Sequence, residues 1–148
     1  MTVPSDVRAF NRAIIEEFRA NNGRVSHDML RDAALVLLTT TGAKSGRPHT
    51  TPLAYFTDGP GRIVLWASAM AAPAHPAWYH NLAANPRVAI ELPGDSGTVR
   101  RFEGMASTAQ GAERERLFDM LREASPHIAA HQERTDRQIP LVVVEYPG

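Results

Sequence analysis

The chain has 148 residues, 43% of them hydrophobic and 22% charged, which fits one folded domain and excludes a disordered or collagen-like protein. Sixteen basic and sixteen acidic side chains balance to zero formal charge, so the broad positive field of a nucleic-acid-binding protein is missing. The absence of cysteine excludes disulfides, thiolate metal sites and a thiol nucleophile.

The start is polar, with Pro4, Asp6 and Arg8, and no apolar run is long enough to span a bilayer; the expectation is a cytoplasmic protein whose membrane contact is at most transient. Phe10, Ile14, Ile15 and Phe18 recur at helical spacing between Ser5, a good N-cap, and Asn21-Asn22-Gly23, predicting an amphipathic helix over about 6–22. Ala34 to Thr41 is short, apolar and partly β-branched, and reads as a buried strand. Thr50 to Phe56 reads as a second strand, placed by Pro52 at an edge or a bulge because proline donates no ladder hydrogen bond. Asp58-Gly59-Pro60-Gly61 then turns the chain into a third strand, Arg62 to Ser68.

Pro76 opens a short helix through Trp78, Tyr79 and Leu82 that stops at Asn85-Pro86. Val88 to Leu92 and Thr98 to Met105 flank a turn as a hairpin, and Leu117, Phe118, Met120 and Leu121 mark the core face of a helix between Gln110 and Glu123. Pro126 begins a last helical piece, and Leu141 to Val144 is a final strand. About six mainly antiparallel strands, with helices that do not alternate regularly with them, describe an α+β barrel in a single domain over 1–148.

Four patterns carry candidate chemistry. Thr39 to Pro48 packs hydroxyls, two glycines, Lys44 and Arg47 into one inter-strand turn, which can aim backbone N–H groups, a hydroxyl and an ammonium at a phosphate. It is not a P-loop, since Lys44 precedes the second glycine. Gly94-Asp95-Ser96-Gly97 has the letters of a serine-protease nucleophile, but reads as a β-turn in a chain too short for that fold. His127 and His131 are four apart, yet Ile128 stands where a zinc motif needs glutamate, so no metal is expected. Trp78 and Tyr79, beside His75 and His80, have the flat faces that wall pockets for planar ligands, and Glu113 to Arg116 reads as a solvated helix face.

Three segments in order tie these patterns together: Leu37 to Pro48 with Pro52-Leu53, Ala67-Ser68 followed by Pro76 to Pro86, and Thr135 to Pro140. With Ile15 to Asn21, they resemble the deazaflavin (coenzyme F420)-dependent nitroreductase and quinone reductase family of actinobacteria. The resemblance implies a flavin-reductase-like split β-barrel that passes a hydride from reduced F420 to an electron-poor quinone, nitroaromatic or enone. It implies that Lys44, Ser45 and Gly46 meet the phosphate and polyglutamyl tail, and that Thr51, Pro52, Leu53, Ala67 and Ser68 line the deazaflavin. Trp78 and Tyr79 would face a small hydrophobic or aromatic substrate, and a homodimer would be in keeping with the family.

His49 and Ala69 stand on the tail's implied path where the family carries arginine and lysine, each removing a permanent cation. Met70-Ala71 replaces a glycine pair. His131 takes the place of a substrate-side tyrosine and can donate a proton, while Ser68 can polarise a substrate oxygen. An FMN-binding split barrel and a non-catalytic cofactor or lipophile carrier are the rival readings.

Overall fold

The computed structural model describes residues 3–26, 34–67, 75–95, 97–124, 126, 130–134 and 138–147, with side chains for all of these but 3–8, 131 and 134. Helix α1 (Val3–Ala20) leads into strand β1 (Leu35–Thr41), β2 (Pro48–Ala54), β3 (Phe56–Thr57) and β4 (Arg62–Trp66). Helix α2 (Ala77–Ala84), β5 (Arg87–Leu92), β6 (Arg100–Thr108), α3 (Gly111–Ala124), a 3₁₀ turn (Ala130–Arg134) and β7 (Leu141–Glu145) follow. The helix begins at Val3, so Ser5 lies inside it and is not its N-cap. Its stop is as expected: Asn22 and Gly23 take positive φ, and the Gly23 amide reaches back to the Phe18 carbonyl.

All seven strands form one antiparallel sheet in the order β2-β1-β5-β6-β7-β4-β3. The two edge strands are consecutive in the chain and separated only by Tyr55, so the sheet has to curl until its edges adjoin. The stretch expected as one strand, Thr50 to Phe56, therefore breaks at Tyr55, raising the count from six to seven. Pro52 sits on edge strand β2, opposite Leu37, where its missing donor breaks no ladder.

β1 shows why its sequence is apolar on both faces. Val36 and Leu38 point into the barrel with Ile63, Leu65, Ile90, Val142 and Val144, and α2 closes that core with Trp78 and Leu82. Leu35 and Leu37 point outward under Ile14 and Phe18 of α1. A third cluster packs Leu117 and Leu121 of α3 on Val64, Leu141 and Val143. α1 is further fixed by Arg19, whose Nε and Nη2 both donate at 2.8 Å to the carboxylate of the buried Glu91.

The Glu113 to Arg116 run is less solvated than its letters suggest. Arg116 makes a two-pronged pair with Asp58, Glu113 meets Arg62, and Arg114 is half-buried. Gly94 exchanges two hydrogen bonds with the Asn22 side chain, so the Gly94 to Gly97 turn is tied to the end of α1. No helix among the described residues is long and apolar enough to cross a membrane.

Candidate functional site

The loop from Gly42 to Arg47 joins β1 to β2 and is closed largely on itself. The Gly42 amide donates to the Arg47 carbonyl, the Gly46 amide to the Gly42 carbonyl, and the Arg47 amide to the Ser45 hydroxyl. The Ala43 amide donates to Asn81 Oδ1 at 3.0 Å, and Asn81 Nδ2 donates to Oγ1 of the buried Thr40, which clamps the loop to α2 and β1. Gly46 has φ +70°, a conformation that favours glycine. Most of this turn's amides are thus already used, contrary to the simple picture of a backbone nest; its side chains and the amides of Lys44 and Ser45 are what it offers a ligand.

The loop forms one wall of a cavity of about 1150 Å³. Lys44, Ser45, His49 and Thr51 line it from the loop and β2, Arg12 from α1, and Trp78, His80 and Asn81 from α2. No carboxylate is among the described lining residues, which include two permanent cations and two imidazoles. Such a wall favours an anion at one end, and the Trp78 indole with Ala77 gives a flat apolar surface beside it.

His49 is placed to act on Ser45. Its Nε2 lies 3.3 Å from Ser45 Oγ, and a methyl group on Gly42 would come within 2.4 Å of that oxygen and 2.9 Å of that nitrogen. Gly42 therefore leaves room for a Ser45–His49 contact. With Nε2 protonated, the ring donates to Ser45, which also accepts from the Arg47 amide, leaving the hydroxyl proton to point at a ligand.

Lys44, Ser45, His49, Thr51 and Trp78 thus gather around one space. Ala67 is fully buried in the barrel core, its amide donating to the Pro140 carbonyl, and Leu53 packs against that core. Gly46, Arg47 and Pro52 are not among the residues lining the cavity. Tyr79 faces away from it, toward a separate cavity, because it sits on the other side of α2 from Ala77, His80 and Asn81. Ser68, Ala69 and His127 lie outside the described residues, as does the His131 side chain.

Arg12, His80 and Asn81 were missed. The i, i+3, i+4 spacing of Ala77, His80 and Asn81 was the available signal for α2, whereas nothing local marks Arg12.

The curled, helix-flanked antiparallel sheet is that of the split-barrel, flavin-reductase-like proteins. More narrowly, residues 10–146 match the F420H(2)-dependent quinone reductase family, and the chain belongs to it. It is 37% identical over 130 residues to an F420H(2)-dependent quinone reductase of Mycobacterium tuberculosis, covering 86% of this chain and 83% of the relative. A solved F420-H2 dependent reductase is 38% identical, with a TM-score of 0.64 over 76% of this chain and 94% of its own. A second solved structure, described as a domain-swapped dimer, is 34% identical, with a TM-score of 0.67 over 96% of this chain and 99% of its own. The family is one of oxidoreductases, and membership implies coenzyme F420 as the cofactor.

Proposed function

We propose that the chain uses reduced coenzyme F420 to reduce a quinone, or a similarly electron-poor nitroaromatic or enone, by hydride transfer. The observation that carries this reading is the cavity on which Arg12, Lys44, Ser45 and His49 converge beside Trp78, with no carboxylate among the described lining residues. Its donors suit a phosphate-bearing anion, and its size and indole wall suit a planar ring system.

When bound, F420 supplies the hydride; the protein supplies position and electrostatics. In this reading Lys44 and Arg12 neutralise the phosphate and acidic tail, and Ser45, oriented by His49, donates its hydroxyl proton to a phosphate oxygen. Asn81 holds the loop at a fixed distance from α2. Thr51 and Ser68 flank the ring, and Pro52, Leu53 and Ala67, which do not line the cavity, back that wall. Trp78 excludes water on the substrate side, Ser68 polarises a substrate oxygen, and the completing proton comes from His131 or solvent.

The test is an anaerobic assay of the purified chain with reduced F420 and a panel of quinones, nitroaromatics and enones, alongside fluorescence titrations with F420 and with FMN. Oxidation of reduced F420 by a quinone, with F420 binding at least tenfold tighter than FMN, is expected. Absence of both binding and turnover refutes the proposal, and preferential FMN binding replaces it with the flavin reading. A homodimer, suggested by the domain-swapped relative, is checked by sedimentation.

A further inference from the structure

A second cavity, of about 500 Å³, lies across α2 from the first and shares none of its lining residues. Tyr79, Thr108, Gln110, Arg114 and Gln138 give it a polar wall, and no carboxylate is among the described residues that line it. The volume holds a compact molecule of roughly ten to fifteen non-hydrogen atoms, taking about 30 Å³ for each water-sized unit.

Arg114 is the unusual member. Arg19, Arg62, Arg116 and Arg122 each pair with a carboxylate. Arg114, though half-buried, meets none among the described residues. Its Nη2 donates to Gln132 Oε1 at 3.3 Å and to the Ile139 carbonyl at 3.0 Å, both neutral acceptors, and its plane lies over the Phe118 ring. Its Nε is buried with no hydrogen-bond partner, and burial pulls the group below its ordinary pKa.

A purely structural clip between α3 and the start of β7 would need only a neutral donor. Retaining a guanidinium there carries a desolvation cost that no countercharge among the described residues offsets. Nη2 is occupied and Nε covered, and among the described residues no hydrogen bond engages Nη1, which leaves that nitrogen for an incoming acceptor.

The lining of the same cavity supplies a second donor. Tyr79 Oη and Thr108 Oγ1 are 2.9 Å apart. Two hydroxyls hold two protons, and their mutual hydrogen bond uses one, so the second is available to a third acceptor.

We propose that this cavity is an anion site, distinct from the cofactor cavity, in which Arg114 and the Tyr79–Thr108 pair receive the carboxylate or phosphate group of a small molecule. A single guanidinium nitrogen and one hydroxyl proton suit a compact oxyanion rather than a long polyanion.

The full chain is titrated with inorganic phosphate and, separately, with benzoate, while amide shifts are followed by two-dimensional NMR. Saturable shifts are expected at Thr108, Gly111 and Ala112; phosphate also shifts Ala43 and Lys44 at the first cavity, which serves as an internal control. Arg114→Gln should weaken the second-cavity response at least tenfold and leave the Lys44 response unchanged. Tyr79→Phe, which keeps the ring, should weaken it about threefold, and it carries the test alone if Arg114→Gln fails to fold. Saturation by phosphate only assigns a phosphate ligand, and by benzoate only a carboxylate. The site is overturned if neither anion shifts the second-cavity residues, or if the folded variants bind as tightly as the wild type.

Discussion

Gly42→Ala tests the view that the β1–β2 loop binds through an oriented hydroxyl. The added methyl would lie 2.4 Å from Ser45 Oγ and 2.9 Å from His49 Nε2, well inside contact distance, and both atoms belong to side chains that can swing away. Ser45 would rotate, losing the Arg47 amide and the His49 ring. Both bonds are exposed and water can replace them, so stability should fall by no more than about 1 kcal/mol, about 2–4 °C in Tm for a chain of this size. Binding should suffer more, because a hydrogen bond to a charged group is worth about 1.5–3 kcal/mol, roughly a tenfold to hundredfold rise in Kd for F420. Gly59→Ala is the control: it strains a positive-φ turn in the β3–β4 hairpin with open space around it, and should lower Tm without changing Kd. The assay is fluorescence titration of F420 beside thermal unfolding. A Gly42→Ala protein that binds F420 within twofold of wild type would refute the reasoning.

Lys44→Ala should raise the F420 Kd at least tenfold and flatten its salt dependence, whereas Arg47→Ala, outside the cavity lining, should stay within about threefold; equal losses in titrations at two salt concentrations would contradict this placement. Asn81→Asp keeps an acceptor for the Ala43 amide but puts a negative charge among cations, so melting should change little while F420 binding weakens and recovers partly with added salt. Glu91→Gln weakens the two-pronged contact with Arg19, which is half-exposed and can rehydrate; a loss of about 1–2 kcal/mol in denaturant unfolding is expected. The Arg116 hydrogen bonds, with a further contribution from Arg62, hold the Asp58 carboxyl below the usual carboxylate range. Since the folded-state value is the lower one, the stabilisation is complete at neutral pH and is lost as pH falls from about 4 through the folded value. Asp58→Asn should therefore show a shallower acid dependence of unfolding than wild type in that window.

The strand pattern was legible where burial alone determines it. The run Leu35 to Leu38 is apolar at every position because α1 covers one face and the barrel interior the other, and Pro52 on an unpaired edge follows from its missing donor. The break at Tyr55 was not legible, since Thr50 to Phe56 is continuous in β propensity. It arises from closure, which requires Phe56 to pair with Val64 at the far edge while Ala54 stays opposite Leu35. The same distinction runs through the site. Lys44 and Ser45 stood out because glycines, hydroxyls and cations cluster in a turn, but the self-bonded state of its amides depends on Asn81, 38 residues away from Ala43. Arg12 joins the cavity through the docking of α1, which rests on Phe18 and Arg19 rather than on any property of Arg12 itself.

α2 is the element on which both cavities depend. In eight residues it buries Trp78 and Leu82 in the barrel core, presents His80 and Asn81 to the cation-lined cavity, and turns Tyr79 toward Arg114. Trp78 is at once a core residue and a cavity wall, so the helix cannot rotate to improve one side without disturbing packing on the other. Its polar ties, from Asn81 to the β1–β2 loop and to Thr40 of β1 and from Tyr79 to Thr108 of β6, lie on opposite sides and brace it against such rotation. A helix held in this way gives the β1–β2 loop a fixed reference: positions in this cavity wall are set by neutral hydrogen bonds, and permanent charge among the described lining residues is left to Lys44 and Arg12.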